Sequence, residues 1–136
     1  WGKKLVTIES QDVSLDDIEH RILRPIWQDN RVHYAVNCAA VGCPNLNKVA
    51  YTAKNTDRLL SVAAATYINH PRGVRVKEGA LYVSSIFDWY KADFGNNDAS
   101  VIEHLKKYAN PNLQNLLAGI PEIEDHAYDW ALNNKP

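Results

Sequence analysis

The side chains of this chain that can do chemistry crowd into one stretch, His33-Tyr-Ala-Val-Asn-Cys-Ala-Ala-Val-Gly-Cys-Pro44. It holds both cysteines, a histidine and an asparagine. A cysteine attacks only as its thiolate, so it needs a base or a stabilising environment. Histidine is the usual base, and an Asp or Asn orients it. One candidate constellation is therefore Cys38 as nucleophile, His33 as base and Asp129 as the orienting acid. Asp129 enters because it lies between Tyr128 and Trp130, where a carboxyl can be desolvated or can anchor a histidine. A second candidate is a short disulfide or redox pair between Cys38 and Cys43, which are separated by Ala-Ala-Val-Gly. The plainest alternative makes Cys38 a small buried hydrophobe.

Other site chemistries find less support. Cys38 and Cys43 have the spacing of half a structural zinc site, but no second Cys/His pair follows, so no metal is assigned. No glycine-rich phosphate loop is present, and no cofactor is assigned. Asn37, Trp89, Tyr90 and Trp130 are candidate binding residues, with core packing as the alternative for Trp89 and Tyr90.

The elements that must position these residues follow from periodicity. Gly2–Glu9 reads as a short strand. Ser14 with Asp17 three residues on matches a capping box, and Leu15, Ile18, Ile22 and Leu23 follow at helical spacing until Pro25. Arg31–Cys38 is apolar on both faces and reads as a central strand. On a regular strand the odd separation of His33 and Cys38 turns them to opposite faces, which argues against a direct dyad. Ala39–Leu46 is a loop, and Tyr51–Asn69 is the longest helix, with Thr52 or Asn55 as its cap. Val74–Val83 reads as a hairpin turning at Lys77–Ala80. Helices then start at Ser84 or Ser85, at Asp98 or Ser100, and at Pro111, and Glu122–Leu132 reads as a closing strand. About four strands and five helices in mixed order predict an α+β fold, with a small, mainly antiparallel sheet packed by helices.

Composition narrows the function classes. The chain has 136 residues, enough for a single domain, with 46% hydrophobic and 23% charged residues. Fifteen basic against sixteen acidic residues leave a formal charge of -1, so the usual electrostatic argument for nucleic acid or an anionic membrane is missing. No apolar run approaches the ~20 residues of a transmembrane helix.

Four segments together are similar to successive motifs of the domain-of-unknown-function family 547. They are Ser14-Leu-Asp-Asp-Ile-Glu-His20, the His33–Pro44 stretch, Leu81-Tyr-Val-Ser-Ser-Ile-Phe-Asp-Trp-Tyr-Lys-Ala-Asp-Phe94, and Tyr128-Asp-Trp-Ala-Leu-Asn133. The resemblance implies an exported bacterial protein, hence a periplasmic or secreted location. It also implies that this chain is the C-terminal part of a longer family domain, whose upstream helix packs here. The family commonly has Ser at the position of Ala40, and some relatives have Ser at that of Cys43. The motif order is also similar to that of transglutaminase-like and papain-like thiol enzymes, which would make His33 and Asp129 partners in a degenerate thiol-enzyme scaffold.

Three functions follow as expectations. The first is a non-catalytic binding or interaction module for an unidentified ligand or protein. The second is a thiol-dependent hydrolase or transferase using Cys38, His33 and Asp129. The third is a thiol redox protein using Cys38 and Cys43.

Overall fold

The chain opens on a hairpin, β1 (Val6–Ile8) against β2 (Gln11–Val13), whose turn residues Glu9 and Ser10 both take positive φ. The expected strand is there, and the hairpin partner was not foreseen. Helix α1 (Leu15–Asp17) starts at the predicted capping box. The Ser14 hydroxyl accepts from the Asp17 N–H, and the Asp17 carboxylate accepts from the Ser14 N–H. The helix continues as a π-helical segment, Ile18–Trp27, that carries Pro25 within it. Proline has no N–H to give the α-helical ladder, and local rewinding is one way a helix accommodates it. Gln28 ends the segment in the left-handed region.

The expected central strand at Arg31–Cys38 is not a strand. Residues Asn30–Tyr34 form a 3-10 helix capped by Asp29, whose carboxylate accepts from the Arg31 N–H, and the chain then runs into the cysteine loop. The sequence misled for a physical reason. A short run that is apolar on all sides fits a buried helical turn as well as a buried strand. Here the three consecutive residues Val32, His33 and Tyr34 are all buried. Three residues per turn point these side chains in three directions, so the turn must be enclosed. The Arg31 guanidinium holds it to α2 (Thr56–Ile68) through Asp57 and Ser61 while pairing with Asp29.

The main sheet is three-stranded, in the order β3–β4–β5. Strands β3 (Val74–Lys77) and β4 (Ala80–Ser84) form the predicted antiparallel hairpin, turning through Glu78 and Gly79 at positive φ. Strand β5 (Asp125–Ala127) lies parallel to β4, with Val83 opposite His126. The closing strand is shorter than the sequence suggested, because after Ala127 the chain leaves the sheet and pairs with the cysteine loop.

Helices α3 (Ile86–Trp89), α4 (Asp98–Tyr108) and α5 (Pro111–Leu117) complete the layer over the sheet. Asn97 and Asn110 cap the last two, and between α3 and α4 a 3-10 turn, Lys91–Phe94, ends at Gly95 with φ 98°. The core gathers Tyr34, Tyr67, Leu81, Phe87, Val101 and Leu105, each with at most 1% of its surface exposed. The fold is thus α+β, with five α-helices and two small, mostly antiparallel sheets among the described residues 1–134 of this computed structural model. No helix among them is long and apolar enough to cross a membrane.

Candidate functional site

The cysteine loop is held from two sides. From the core, the Tyr67 hydroxyl donates to the Gly42 carbonyl at 2.7 Å, and Arg72 donates to the Val41 carbonyl. From the other side, the Val41 and Gly42 N–H groups donate to the carbonyls of Ala131 and Asp129, at 2.8 and 2.9 Å. Ala40 bridges to Leu132 as an antiparallel pair. Gly42 is required by this docking, because a Cβ there would come within 3.0 Å of the Tyr128 ring and the Asp129 nitrogen. Within the loop, Asn37 donates to the Pro44 carbonyl and accepts from the Ala39 N–H. Both ends of this candidate binding amide are therefore occupied in shaping the loop.

This clasp brings the Cys38 and Cys43 sulfurs into direct contact. The Tyr128 hydroxyl donates to Cys43 Sγ at 3.1 Å and lies 3.4 Å from Cys38 Sγ. The two thiols differ. Cys38 is partly exposed and Cys43 is buried. Burial pushes the Cys38 thiol up, but hydrogen bonds from Cys43, Tyr128 and backbone N–H groups outweigh it, and the net shift is downward. Burial pushes the Cys43 thiol up, and its contact with Cys38 pushes it further.

His33 and Cys38 border the same cavity, of about 220 Å³, together with Glu19, Trp89, Tyr128 and Trp130. Because Asn30–Tyr34 winds as a 3-10 helix, strand parity does not set His33 and Cys38 on opposite faces. The partner of His33 also differs from expectation. His33 Nε2 lies 2.8 Å from Asp93 Oδ2. Asp129 is exposed, and its carboxylate accepts from the Ala131 N–H. The acid that meets His33 comes from the 3-10 turn after α3, not from the segment after β5. Arg24 grips both Asp93 oxygens, at 2.6 and 3.0 Å, and holds that carboxyl below the usual range together with His33. The His33 ring stacks on Tyr90 with centroids 4.0 Å apart.

Burial lowers the basicity of His33 more than Asp93 raises it, so its imidazole is neutral near pH 7. A neutral ring facing a carboxylate carries its proton on Nε2 and keeps a lone pair on Nδ1. Such a ring keeps a nitrogen able to accept a proton. Among the described residues, no hydrogen bond joins His33 to either sulfur.

The rim of the cavity is aromatic. Trp89 packs against Tyr128 at 4.9 Å and Trp130 at 5.4 Å, and Tyr128 meets Trp130 at 4.8 Å. The segments Phe87-Asp-Trp-Tyr90 and Tyr128-Asp-Trp-Ala131 share an Asp-Trp step, and their two tryptophans meet in space. Trp89 is 46% and Trp130 65% exposed. Of the candidate binding residues, Trp89, Tyr90 and Trp130 border the cavity and Asn37 shapes the loop beneath it. Sequence reasoning missed Glu19, Asp93 and Tyr128. Tyr128 was the most findable, since it adjoins the residue that was chosen. No three or more His, Cys, Asp or Glu residues among those described are placed to hold a metal ion.

Ser85, His126 and Asp88 form a further polar chain, with Ser85 Oγ 3.0 Å from His126 Nδ1 and His126 Nε2 3.3 Å from Asp88. Ser85 is buried, and the chain ties β5 to the start of α3.

The sequence profile of the family described as "Protein of unknown function, DUF547" matches residues 1–68. That range takes in the Ser14–His20 and His33–Pro44 motifs, and the later two motifs lie beyond it. No curated protein and no solved structure matches the chain.

Proposed function

The chain belongs to the DUF547 family of proteins of unknown function, and from that premise we propose thiol–disulfide exchange, with Cys38 as the attacking thiol and Cys43 as the resolving one. The observation that carries this reading is the asymmetry of two sulfurs in contact. Cys38 is partly exposed and shifted toward its thiolate, and Cys43 is buried and shifted away from it. An attacking thiol needs access and thiolate character, and a resolving thiol needs only proximity.

In the first step the Cys38 thiolate attacks one sulfur of a substrate disulfide. A mixed disulfide forms and the other substrate sulfur leaves as a thiolate. In the second, Cys43 gives up its proton and attacks the Cys38 sulfur. This releases the second substrate thiolate and leaves a Cys38–Cys43 disulfide. The pair is oxidised by two electrons and the substrate disulfide is reduced; a dithiol resets the pair. Export, implied by the family resemblance, would suit such chemistry. A relative with Ser at position 43 would keep the first step and lose the second.

Incubation of the reduced protein with glutathione disulfide tests this. The wild type should end as an internal disulfide, and Cys43→Ser should stop with glutathione on Cys38, both read by mass spectrometry. Modification of Cys43 in preference to Cys38, or of neither, would overturn the proposal.

The His33–Asp93 pair on the same cavity favours a second reading, a thiol-dependent hydrolase or transferase with His33 as base. That reading requires an acyl group on Cys38 after treatment with an activated ester, and loss of its turnover in His33→Gln. The binding-module reading draws its support from the exposed aromatic rim.

A further inference from the structure

Glu19 is the group on this cavity that thiol chemistry does not use. It sits on the π-helical segment with only 6% of its surface exposed, and it borders the cavity. Asp16, one turn earlier and half-buried, borders it too. Among the described residues neither carboxylate forms an ion pair. Glu19 meets the neutral hydroxyl of Tyr90, which burial and Glu19 together hold in its protonated form. The nearest guanidinium, Arg24, already spends its charge on both oxygens of Asp93. A buried carboxylate that forms no ion pair of its own is costly, and a cation entering from outside offsets that cost.

The walls opposite are suited to the same visitor. Trp89, Tyr128 and Trp130 pack edge and face within 4.8 to 5.4 Å of one another. Trp1 also borders the cavity and is half exposed. Aromatic faces attract organic cations, most strongly where water is excluded. His33 does not oppose a cation by charge, since its imidazole is neutral near pH 7. A volume of about 220 Å³ suits a side-chain-sized group. Tyr90 itself is taken, by His33 on stacking and by Arg24 at 4.9 Å from its centroid, so the free faces are those of the tryptophan–tyrosine rim.

We propose that this cavity is a subsite for an organic cation, the basic side chain of a polypeptide substrate, held between Glu19 and the Trp89–Tyr128–Trp130 rim. The proposal rests on the thiol-exchange reading only in naming the substrate; the cation subsite stands on the cavity alone. It places a lysine or arginine of the substrate beside the sulfur that Cys38 attacks.

Two measurements on the reduced chain test it. The first compares methanethiosulfonates that differ in charge, ethyltrimethylammonium against ethylsulfonate. Each would form a mixed disulfide on Cys38 and release methanesulfinate. Relative to a free small thiol, the cationic reagent should gain at least tenfold in rate over the anionic one. Glu19→Gln should abolish most of that gain, and Asp16→Asn should reduce it, which guards against a misfolded Glu19 variant. Reaction of both reagents at the free-thiol ratio would overturn the cation subsite and leave the thiol reading intact. Failure of both to react would sink the thiol reading instead.

The second measurement needs no thiol chemistry. Choline should quench tryptophan fluorescence saturably, and its neutral isostere 3,3-dimethylbutan-1-ol should not at equal concentration. Equal binding of the two, or choline binding unchanged in both acidic-residue variants, would overturn the subsite.

Discussion

Two histidines, His33 buried and His104 half-buried, divide the molecule into a part that holds it together and a part that borders the cavity. His104 lies in α4, where its Nε2 lies 2.7 Å from the Tyr34 hydroxyl and Phe94 meets its ring edge-on at 4.9 Å. His33 lies in the 3-10 turn on the other side of Phe94, 5.8 Å from it, with its Nε2 on Asp93. Burial lowers the basicity of both. The partner makes the difference. A tyrosine hydroxyl is a neutral partner that can donate or accept, so the His104 pair is a closed, uncharged contact. A carboxylate is a charged acceptor, so it fixes the tautomer of His33 and leaves a basic nitrogen to act elsewhere. The same residue type, shifted in the same direction, is structural in one place and available for chemistry in the other.

The contrast breaks most visibly in the core. Leu105→Ala removes a fully buried side chain next to His104 and should cost about 2–5 kcal/mol in urea unfolding. Cys38 alkylation in the folded fraction should stay at the wild-type rate.

His104 has its pKa lowered from 6.5 to about 4 by burial, so the folded state binds its proton less readily than the unfolded chain. Its contribution is fully present above about pH 6.5 and is lost as the pH falls toward about 4, by ~3 kcal/mol at most. His104→Leu should flatten that part of the profile while lowering stability at pH 7 by about 1–3 kcal/mol, because it leaves the Tyr34 hydroxyl unpaired. A steep loss between pH 6.5 and 4 that survives in His104→Leu would assign it to other groups.

Gly42→Ala acts on the other region. The added Cβ forces Tyr128 back by a few tenths of an ångström, at a stability cost of about 1–2 kcal/mol. The Cys38 thiol should then titrate higher, seen as slower iodoacetamide labelling at pH 7. His33→Gln should cost about 1 kcal/mol, since Arg24 still holds Asp93. Its larger effect should be on the pH dependence of Cys38 reactions, which His104→Leu leaves unchanged. The smallest effect is expected at Lys77→Ala, far from both histidines, where both partners of the Lys77–Glu78 contact are at least 70% exposed. Thermal unfolding should change by no more than about 0.5 kcal/mol.

Local signals in the sequence carried well into the structure. The capping box at Ser14 and Asp17, the turn at Glu78-Gly79, and the helix starts near Asp98 and Pro111 all depend on a few adjacent residues. Neighbours in sequence are enough to satisfy their hydrogen bonds, so they are readable there. The segment Arg31–Cys38 is the counterexample. Its apolar run announced burial correctly and could not announce its winding, because Asp57 and Ser61 on α2 supply the polar contacts that hold the 3-10 turn.

The site shows the same division. That Cys38 and Cys43 could lie near one another was written in their spacing, and the aromatic character of Trp89 and Trp130 in their types, whereas the spacing of His33 and Cys38 argued for opposite faces. The acid that meets His33 was not. Asp93 and Asp129 are both acids near aromatic residues, and only the path of the chain after α3 brings the first to the imidazole and turns the second outward. Residue chemistry and short-range spacing are properties of the string itself. Which distant carboxylate reaches a buried imidazole, and which of two thiols stays open to solvent, depend on packing among segments up to 90 residues apart, and that was decided by the tertiary structure alone.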